Sequence, residues 1–168
     1  MTLRLHDVLL NGLLFCLLAG SAADAQRARQ PPLNCGLYDR MERQCKCNGT
    51  DDYFIKYGRR YCERFLKSTG WTPAGSKWRD HTLLCLQQSL ARDLRNGRTS
   101  GPCDCRNMRQ IASATHVRCY TQASPSVCQL PLSDLLKIYQ GVDAVDLLSP
   151  YGSSQVLSIV GACLLAGH

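Results

Sequence analysis

The sequence contains no internal apolar run long enough to cross a membrane, and this excludes a multi-pass membrane protein. No segment repeats, and no stretch alternates apolar with polar residues as a half-buried strand would. With 45% hydrophobic and 20% charged residues among 168, the composition also excludes collagen-like, low-complexity and wholly disordered chains. These absences, together with the length, favour a single globular domain without a sheet.

Cysteine, in contrast, is abundant, with 11 in the chain. One of them, Cys16, lies within an N-terminal apolar run (residues 8–20) that is too short to span a bilayer comfortably. The small residues Ala23-Asp24-Ala25 follow this run as a cleavage pattern. We therefore predict a signal peptide over residues 1–25 and a secreted, extracellular mature chain. A signal anchor is the alternative.

Cleavage would leave ten cysteines, an even number that indicates a disulfide framework in an oxidising compartment. Their spacing does not determine which cysteines pair. Cleavage would also remove one positive and two negative charges, so the formal net charge of +7 would become +8. The two C-x-C pairs, at residues 45–47 and 103–105, could instead hold a metal, but zinc sites more often use C-x₂₋₄-C. We expect neither a metal nor a cofactor.

The first mature residues, 26–34, are polar, basic and rich in proline, and they predict a flexible lead-in. Residues 35–53 are dense in cysteine and turn formers. They include Asn48-Gly49-Thr50, an N-x-T acceptor, which predicts an N-glycan on Asn48 in a secreted protein.

From residue 54 onward, apolar and cysteine side chains recur at intervals of three and four residues, as on one face of a helix. Five such segments cover residues 62–69, 78–94, 105–119, 132–139 and 156–164. Pro73 and Gly75 predict a loop before the second helix, and the hydroxyls of Ser153 and Ser154 predict the start of the fifth. We therefore expect an all-α domain over residues 35–168, with about five helices cross-linked by disulfides.

Histidine provides the only hint of catalysis, and the hint is weak. His81 follows Asp80 on the second predicted helix, which resembles the His–Asp pair of secreted phospholipases. The order is reversed, however, and no glycine-rich calcium loop precedes it. Neither His81 nor His116 has a nucleophile or a second acid at a recognisable spacing. We expect no catalytic residues and no enzyme, with a phospholipase-type hydrolase as an alternative.

The positive charge predicts attraction to acidic surfaces such as sulphated glycans, although general solubility is an alternative explanation. No nucleic-acid partner is expected. The candidate polyanion-binding residues are arginines near the first helix and around the 96–102 loop: Arg59, Arg60, Arg92, Arg95, Arg98, Arg106 and Arg109.

Several motifs, taken in order, resemble the stanniocalcins, a family of secreted glycoprotein hormones. A cysteine precedes the sequon at residues 47–50, and C-x-x-F-L-x-S and L-L-C stand at 62–68 and 83–85. Thirteen residues separate Cys105 from Cys119, with Tyr120 following, and thirty-four separate Cys128 from Cys163. The similarity extends from about Cys45 to Cys163, which is most of the mature chain.

The resemblance implies four bridges: Cys35–Cys47, Cys45–Cys62, Cys85–Cys119 and Cys128–Cys163. It leaves Cys103 and Cys105 without a partner, because the family's cysteine just after the sequon is absent here. Those two would bond to each other or to another chain, as in a disulfide-linked homodimer. The family's long C-terminal tail, with its own dimer-forming cysteine, is also missing.

The resemblance implies a hormone-like regulator that acts by protein recognition rather than by chemistry. The family is linked to calcium and phosphate balance and to inhibition of a secreted metalloproteinase, so an extracellular receptor or a secreted protease is the expected partner. The alternative is a cysteine-rich matrix or glycosaminoglycan-binding protein. No stable membrane insertion is expected, because the apolar end (residues 156–168) fits a last amphipathic helix better than a lipid-anchor signal.

Overall fold

The computed structural model describes residues 33–47, 53–96 and 103–167, without the side chains at 106 and 107. This part of the chain is all-α, as predicted, but it contains seven α-helices rather than about five. They are α1 (Gly36–Cys45), α2 (Arg60–Lys67), α3 (Pro73–Arg95), α4 (Cys105–Thr121), α5 (Leu132–Gly141), α6 (Ala144–Leu147) and α7 (Pro150–Leu165). A π-helical segment (Phe54–Arg59) leads directly into α2, and a 3₁₀ turn (Val127–Gln129) precedes α5. The predicted signal peptide, residues 1–25, lies outside the described residues.

Helix α1 lies within residues 35–53, the segment dense in cysteine and turn formers, where the sequence pattern predicts no helix. Its buried side chains are Tyr38 and Met41, three residues apart, and it ends where Lys46 adopts a left-handed backbone with φ of 54°. Ten residues with two buried positions give too short a pattern for helical periodicity to stand out. Tyr38 packs directly on the backbone of the π-helical segment, where a Cβ on Gly58 would lie 2.3 Å from the tyrosine ring.

The residues predicted to form a loop before the second helix instead begin α3. Pro73 is in the first turn, where its missing N–H has no partner to lose, and the Thr72 side chain accepts a hydrogen bond from the Gly75 N–H at 3.0 Å. Helix α7 starts in the same way, with Pro150 in its first turn and Ser149 as the cap, rather than at Ser153 and Ser154.

Two clusters of apolar side chains form the core. The first contains Phe54, Phe65, Leu90 and Met108, and it lies among α1, the π-helical segment, α2, α3 and α4. The second gathers smaller groups around Trp78, which is 2% exposed. Helix α4 packs against α3 on one side and against α7 on the other. No helix in the described ranges is both long and apolar enough to span a bilayer.

Five disulfides cross-link the helices: Cys35–Cys62, Cys45–Cys103, Cys47–Cys105, Cys85–Cys119 and Cys128–Cys163. The last two are pairs that the resemblance implies. The other two implied pairs, Cys35–Cys47 and Cys45–Cys62, do not form. Cys35 and Cys45 flank α1 at opposite ends, roughly 15 Å apart along a helix of this length. Cys62 of α2 reaches the first of these ends and therefore bonds to Cys35.

The second end of α1 is bonded to the start of α4. Cys45 and Cys47 bond in order to Cys103 and Cys105, each across 58 residues, so the two C-x-C segments lie side by side in the same direction. Cys103 and Cys105 are therefore neither bonded to each other nor left over. All ten cysteines of the described ranges lie in intrachain bonds, and none of these ten is available for the disulfide-linked homodimer expected from that pair.

Candidate functional site

The two histidines considered for catalysis lie in different environments. His81 is exposed on α3, whereas His116 of α4 lines the interior, with its Nδ1 2.7 Å from the Ala112 carbonyl oxygen and its ring centroid 5.8 Å from that of Tyr120. Burial lowers the pKa of His116, and the hydrogen bond to Ala112 only partly opposes this. His116 is therefore a half-buried side chain that is neutral near physiological pH. In the described ranges, no group of three or more His, Cys, Asp or Glu side chains could hold a metal ion.

The arginines predicted near the first helix tie helices together through ion pairs. Arg59 donates to Asp39 of α1 at 2.6 Å and to Glu63 at 2.8 Å. Hydrogen bonding to Arg59 lowers the pKa of Glu63. These contacts fix the junction between the π-helical segment and α2 against α1, so Arg59 has a structural role whether or not it also binds an anion.

Asp143, in the link between α5 and α6, receives two further arginines. Arg64 donates to its carboxylate at 2.6 Å and to the Gly141 carbonyl at 3.1 Å, and Arg60 pairs with the same carboxylate. The hydrogen bond from Arg64 lowers the pKa of Asp143, with the charge of Arg60 contributing. The carboxylate therefore stays ionised at neutral pH and holds the α5–α6 link against α2.

The same side of α2 forms one wall of an open groove of about 720 Å³ facing α5. Its charged lining is strongly unbalanced, because Glu63 is the only acid in it. The cations of this basic groove are Arg59, Arg60, Arg64, Lys67 and Lys137. Lys137 belongs to α5, far from α2 in sequence. The charge pattern along the chain therefore does not predict that it joins the cations of α2.

The described members of the predicted arginine set lie in three separate places. Arg59 and Arg60 line the basic groove, whereas Arg92 and Arg95 are exposed at the end of α3. Arg109 is half-buried, with its guanidinium carbon 4.0 Å from the centroid of the Tyr57 ring. The predicted residues Arg98 and Asn48, and the side chain of Arg106, lie outside the described part of the chain.

Large apolar side chains are exposed along α5, α6 and α7. No residue of α7 is buried, and Leu157, Leu164 and Leu165 are 72%, 71% and 91% exposed. The C-terminal apolar surface, as we name it, consists of Leu132, Leu136, Val145, Leu148, Leu157, Leu164 and Leu165. Exposed apolar side chains in this number, concentrated on three consecutive helices, are typical of interaction sites in folded proteins.

For part of this surface, helical periodicity wrongly predicts that the side chains face the core. Leu132 and Leu136 fit the core-facing spacing of α5, yet both are exposed. The sequence of α7 does indicate an exposed apolar surface. Its predicted core-facing stripe contains Val156, Ile159 and Cys163, whereas Leu157 and Leu165 lie outside that stripe. An apolar residue on every side of a helix indicates a second covering surface.

Comparisons with known proteins give no relative for this chain. No family model, no curated protein and no solved structure matches it. The similarity to stanniocalcins therefore remains an interpretation of the cysteine spacing and the short motifs of the sequence.

Proposed function

We propose that this protein is a secreted, disulfide-stabilised glycoprotein similar to the stanniocalcins, acting as a hormone-like regulator that binds another extracellular protein. The observation that carries the proposal is the C-terminal apolar surface. Three consecutive helices expose leucine and valine side chains, and hydrophobic surface of this kind gains free energy when a partner removes it from water.

The setting of this surface suggests the chemistry of the partner. Helix α5 carries the exposed Leu132 and Leu136 and also Lys137, which lines the basic groove together with the arginines of α2. A protein with an apolar patch edged by carboxylates would match both features at once. An extracellular receptor or a secreted protease is the partner class that the stanniocalcin resemblance implies, with calcium and phosphate balance as the process regulated.

The five disulfides support an extracellular location, because such bonds persist in oxidising compartments. One of them also restrains the C-terminal apolar surface, since Cys128–Cys163 joins α7 to the 3₁₀ turn before α5. The signal peptide over residues 1–25 and the glycan on Asn48 complete the proposal. Secretion of the full chain from cultured animal cells, with a mass that falls on enzymatic removal of N-glycans, would support both.

Recognition itself can be tested by binding of the labelled secreted protein to cultured cell surfaces. We expect saturable binding that unlabelled protein displaces, and a loss of at least about tenfold in affinity for the double variant Leu157→Ser/Leu164→Ser, because two apolar contacts would be removed. Leu84→Ser, which changes an exposed leucine of α3 outside this surface, is the matched control and should bind normally. Binding that never saturates, or a double variant that binds as tightly as the control, would contradict the proposal.

The basic groove favours a second candidate function, binding of sulphated glycans. Its five cations outnumber the three carboxylates that pair with them, those of Asp39, Glu63 and Asp143, so a net positive charge remains. Opposite charges attract most strongly when they are partly shielded from solvent. On a heparin column the protein should elute well above physiological salt of about 0.15 M. Lys67→Gln/Lys137→Gln should elute earlier, and Arg95→Gln, outside the groove, should shift less. Elution of the unchanged protein near physiological salt would rule this function out.

A further inference from the structure

A cavity of about 320 Å³ lies between the N-terminal helices and the inner side of α7. Its lining is mostly aromatic and aliphatic, and it includes Tyr38, Tyr57, Trp78, Tyr120, Val156 and Ile159. Small-ligand sites in proteins begin at about this size and have this kind of lining. One water molecule occupies roughly 30 Å³ in the liquid, so the cavity has room for a ligand of about ten non-hydrogen atoms.

Disulfides hold the walls of this cavity in place. Cys62, itself part of the lining, is bonded to Cys35, and the bond between Cys85 and Cys119 joins α3 to α4. On the opposite wall, no side chain of α7 is fully buried, so this helix closes the space only in part. Lining atoms that face a gap lose dispersion contacts that a ligand of matching size would restore.

One region of the lining is rich in hydrogen-bond donors. Burial raises the pKa of Tyr38 and Tyr53 far above the ordinary value for tyrosine and that of Tyr120 to about 12, so all three hydroxyls remain protonated. Ionisation of Tyr53 is opposed mainly by burial, further opposed by Tyr38 and Tyr120, and favoured by Arg109. The three tyrosines and Arg109 all line this one cavity.

Arg109 is the cation in this group. It lies over the ring of Tyr57 and 5.8 Å from the ring centroid of Tyr151, and no carboxylate of the described residues forms an ion pair with it. The other charged side chains of the lining have partners. Arg79 pairs with Asp80 at 2.7 Å, and the carboxylate of Asp146 accepts the hydroxyl of Tyr61.

We propose that this cavity binds a small aliphatic carboxylate, with its chain against the aromatic rings and its carboxylate at Arg109 and the neighbouring tyrosine hydroxyls. A guanidinium and three O–H donors suit an anion, and the apolar remainder suits a hydrocarbon chain. Tyr139 and Val160 line the cavity and are also 65% and 50% exposed, so the ligand enters between α5 and α7. This site is distinct from the C-terminal apolar surface, since Leu157, Leu164 and Leu165 do not line it.

The test compares three eight-carbon compounds on the full secreted protein with its disulfides intact. Isothermal titration calorimetry should show that octanoate binds one-to-one, while octylammonium, with the opposite charge, binds at least about tenfold more weakly. Octan-1-ol should bind with intermediate affinity. Tryptophan fluorescence should follow the same saturation curve, because Trp78 lines the cavity. No saturable binding, or equal affinity for octanoate and octylammonium, would overturn the proposal.

Variants separate the two ends of the site. Arg109→Gln should weaken octanoate binding at least about tenfold and leave octan-1-ol binding unchanged, which also shows that the variant is folded. Val156→Phe should weaken both compounds by occupying the chain site. Ser158→Phe places the same ring on the exposed side of α7 and should bind like the unchanged protein. If octanoate affinity is the same in Arg109→Gln, or if both phenylalanine variants behave alike, the carboxylate is not held in this cavity.

Discussion

Asp134 of α5 is fully buried and accepts two hydrogen bonds from Thr72, one from its backbone N–H at 3.1 Å and one from its hydroxyl. Thr72 is in turn the N-cap of α3, the longest helix in the described residues. A single carboxylate thus fixes the start of α3 and holds α5 against it. Because α5 carries part of the C-terminal apolar surface and borders the basic groove, this contact positions both candidate recognition features.

Replacing Asp134 should therefore destabilise the whole domain. Asp134→Ala leaves the partly buried N–H and hydroxyl of Thr72 without their acceptor and opens a gap at a fully buried site, and we expect the free energy of unfolding to fall by about 2–4 kcal/mol. Chemical denaturation with the disulfides intact measures the change. Asp80→Ala, which removes an exposed carboxylate paired with Arg79, is the control and should change stability little. Equal changes in the free energy of unfolding for the two substitutions would show that the buried contact stabilises the protein no more than the exposed ion pair does.

Two glycines should respond in opposite directions to the same substitution. A Cβ on Gly75 would lie 2.4 Å from the Asp134 carboxylate, so Gly75→Ala must displace the cap and should lower the melting temperature. A Cβ on Gly161, in α7, meets nothing within 4 Å. Gly161→Ala should stabilise the protein by about 0.5–1 kcal/mol through helix propensity. Thermal unfolding of both variants checks the pair, and a neutral Gly75→Ala would contradict the close packing described.

Sequence reasoning predicts helices well where apolar side chains recur over many residues. Helix α4 is the clearest case, because Cys105 and Cys119 bracket a pattern of buried positions that includes Met108 and Ala112. The sequence pattern places the start of α3 too late, because Pro73 is a helix breaker in most positions. A proline in the first turn loses no hydrogen bond, so the same residue also fits a helix start.

The long-range contacts of the candidate sites could not be derived from local pattern. Nothing in the sequence around Asp134 distinguishes it from a solvated carboxylate, since its burial depends on Thr72, 62 residues away. The pairing of Cys45 with Cys103 likewise depends on where the end of α1 meets the start of α4. Lys137 joins the basic groove for the same reason. Local spacing predicts which face of a helix a residue occupies. It does not predict which distant element packs against that face.

The paired C-x-C segments give a disulfide prediction that proteolysis can resolve. Each pair has a protease site between its cysteines: trypsin cleaves after Lys46, and Asp-N cleaves before Asp104. Digestion of the denatured, unreduced protein with both enzymes should therefore release two separate linked products. These are expected to join Cys45 to Cys103 and Cys47 to Cys105.

Mass spectrometry before and after reduction identifies these products without ambiguity. The crossed arrangement would link Cys45 to Cys105, and the arrangement that the stanniocalcin resemblance implies would link Cys47 to the peptide containing Cys35. Either result would contradict the side-by-side bonding of the two segments. A digest treated with an N-glycan-releasing enzyme would show in the same experiment whether Asn48, next to Cys47, carries sugar.

His116 should make the stability of the protein depend on pH below neutrality. Burial lowers its pKa in the folded state below the value of about 6.5 that it has when unfolded. Between those two values the unfolded chain binds more protons, so stability is fully present above about pH 6.5 and is lost as the pH falls through the folded-state pKa. Hydrogen bonds from Arg64 and Arg59 lower the pKa values of Asp143 and Glu63, so both carboxylates are already ionised in mildly acidic solution.

The measurement compares melting temperatures at about pH 7.5 and about pH 5.5. The unchanged protein and His81→Gln, whose histidine is exposed on α3, should both lose stability at the lower pH. His116→Gln removes the titrating ring, so its melting temperature should change much less between the two conditions. If His116→Gln retains the full pH dependence, the loss of stability at low pH arises from another group. The imidazole of His116 is then not the group whose protonation opposes folding.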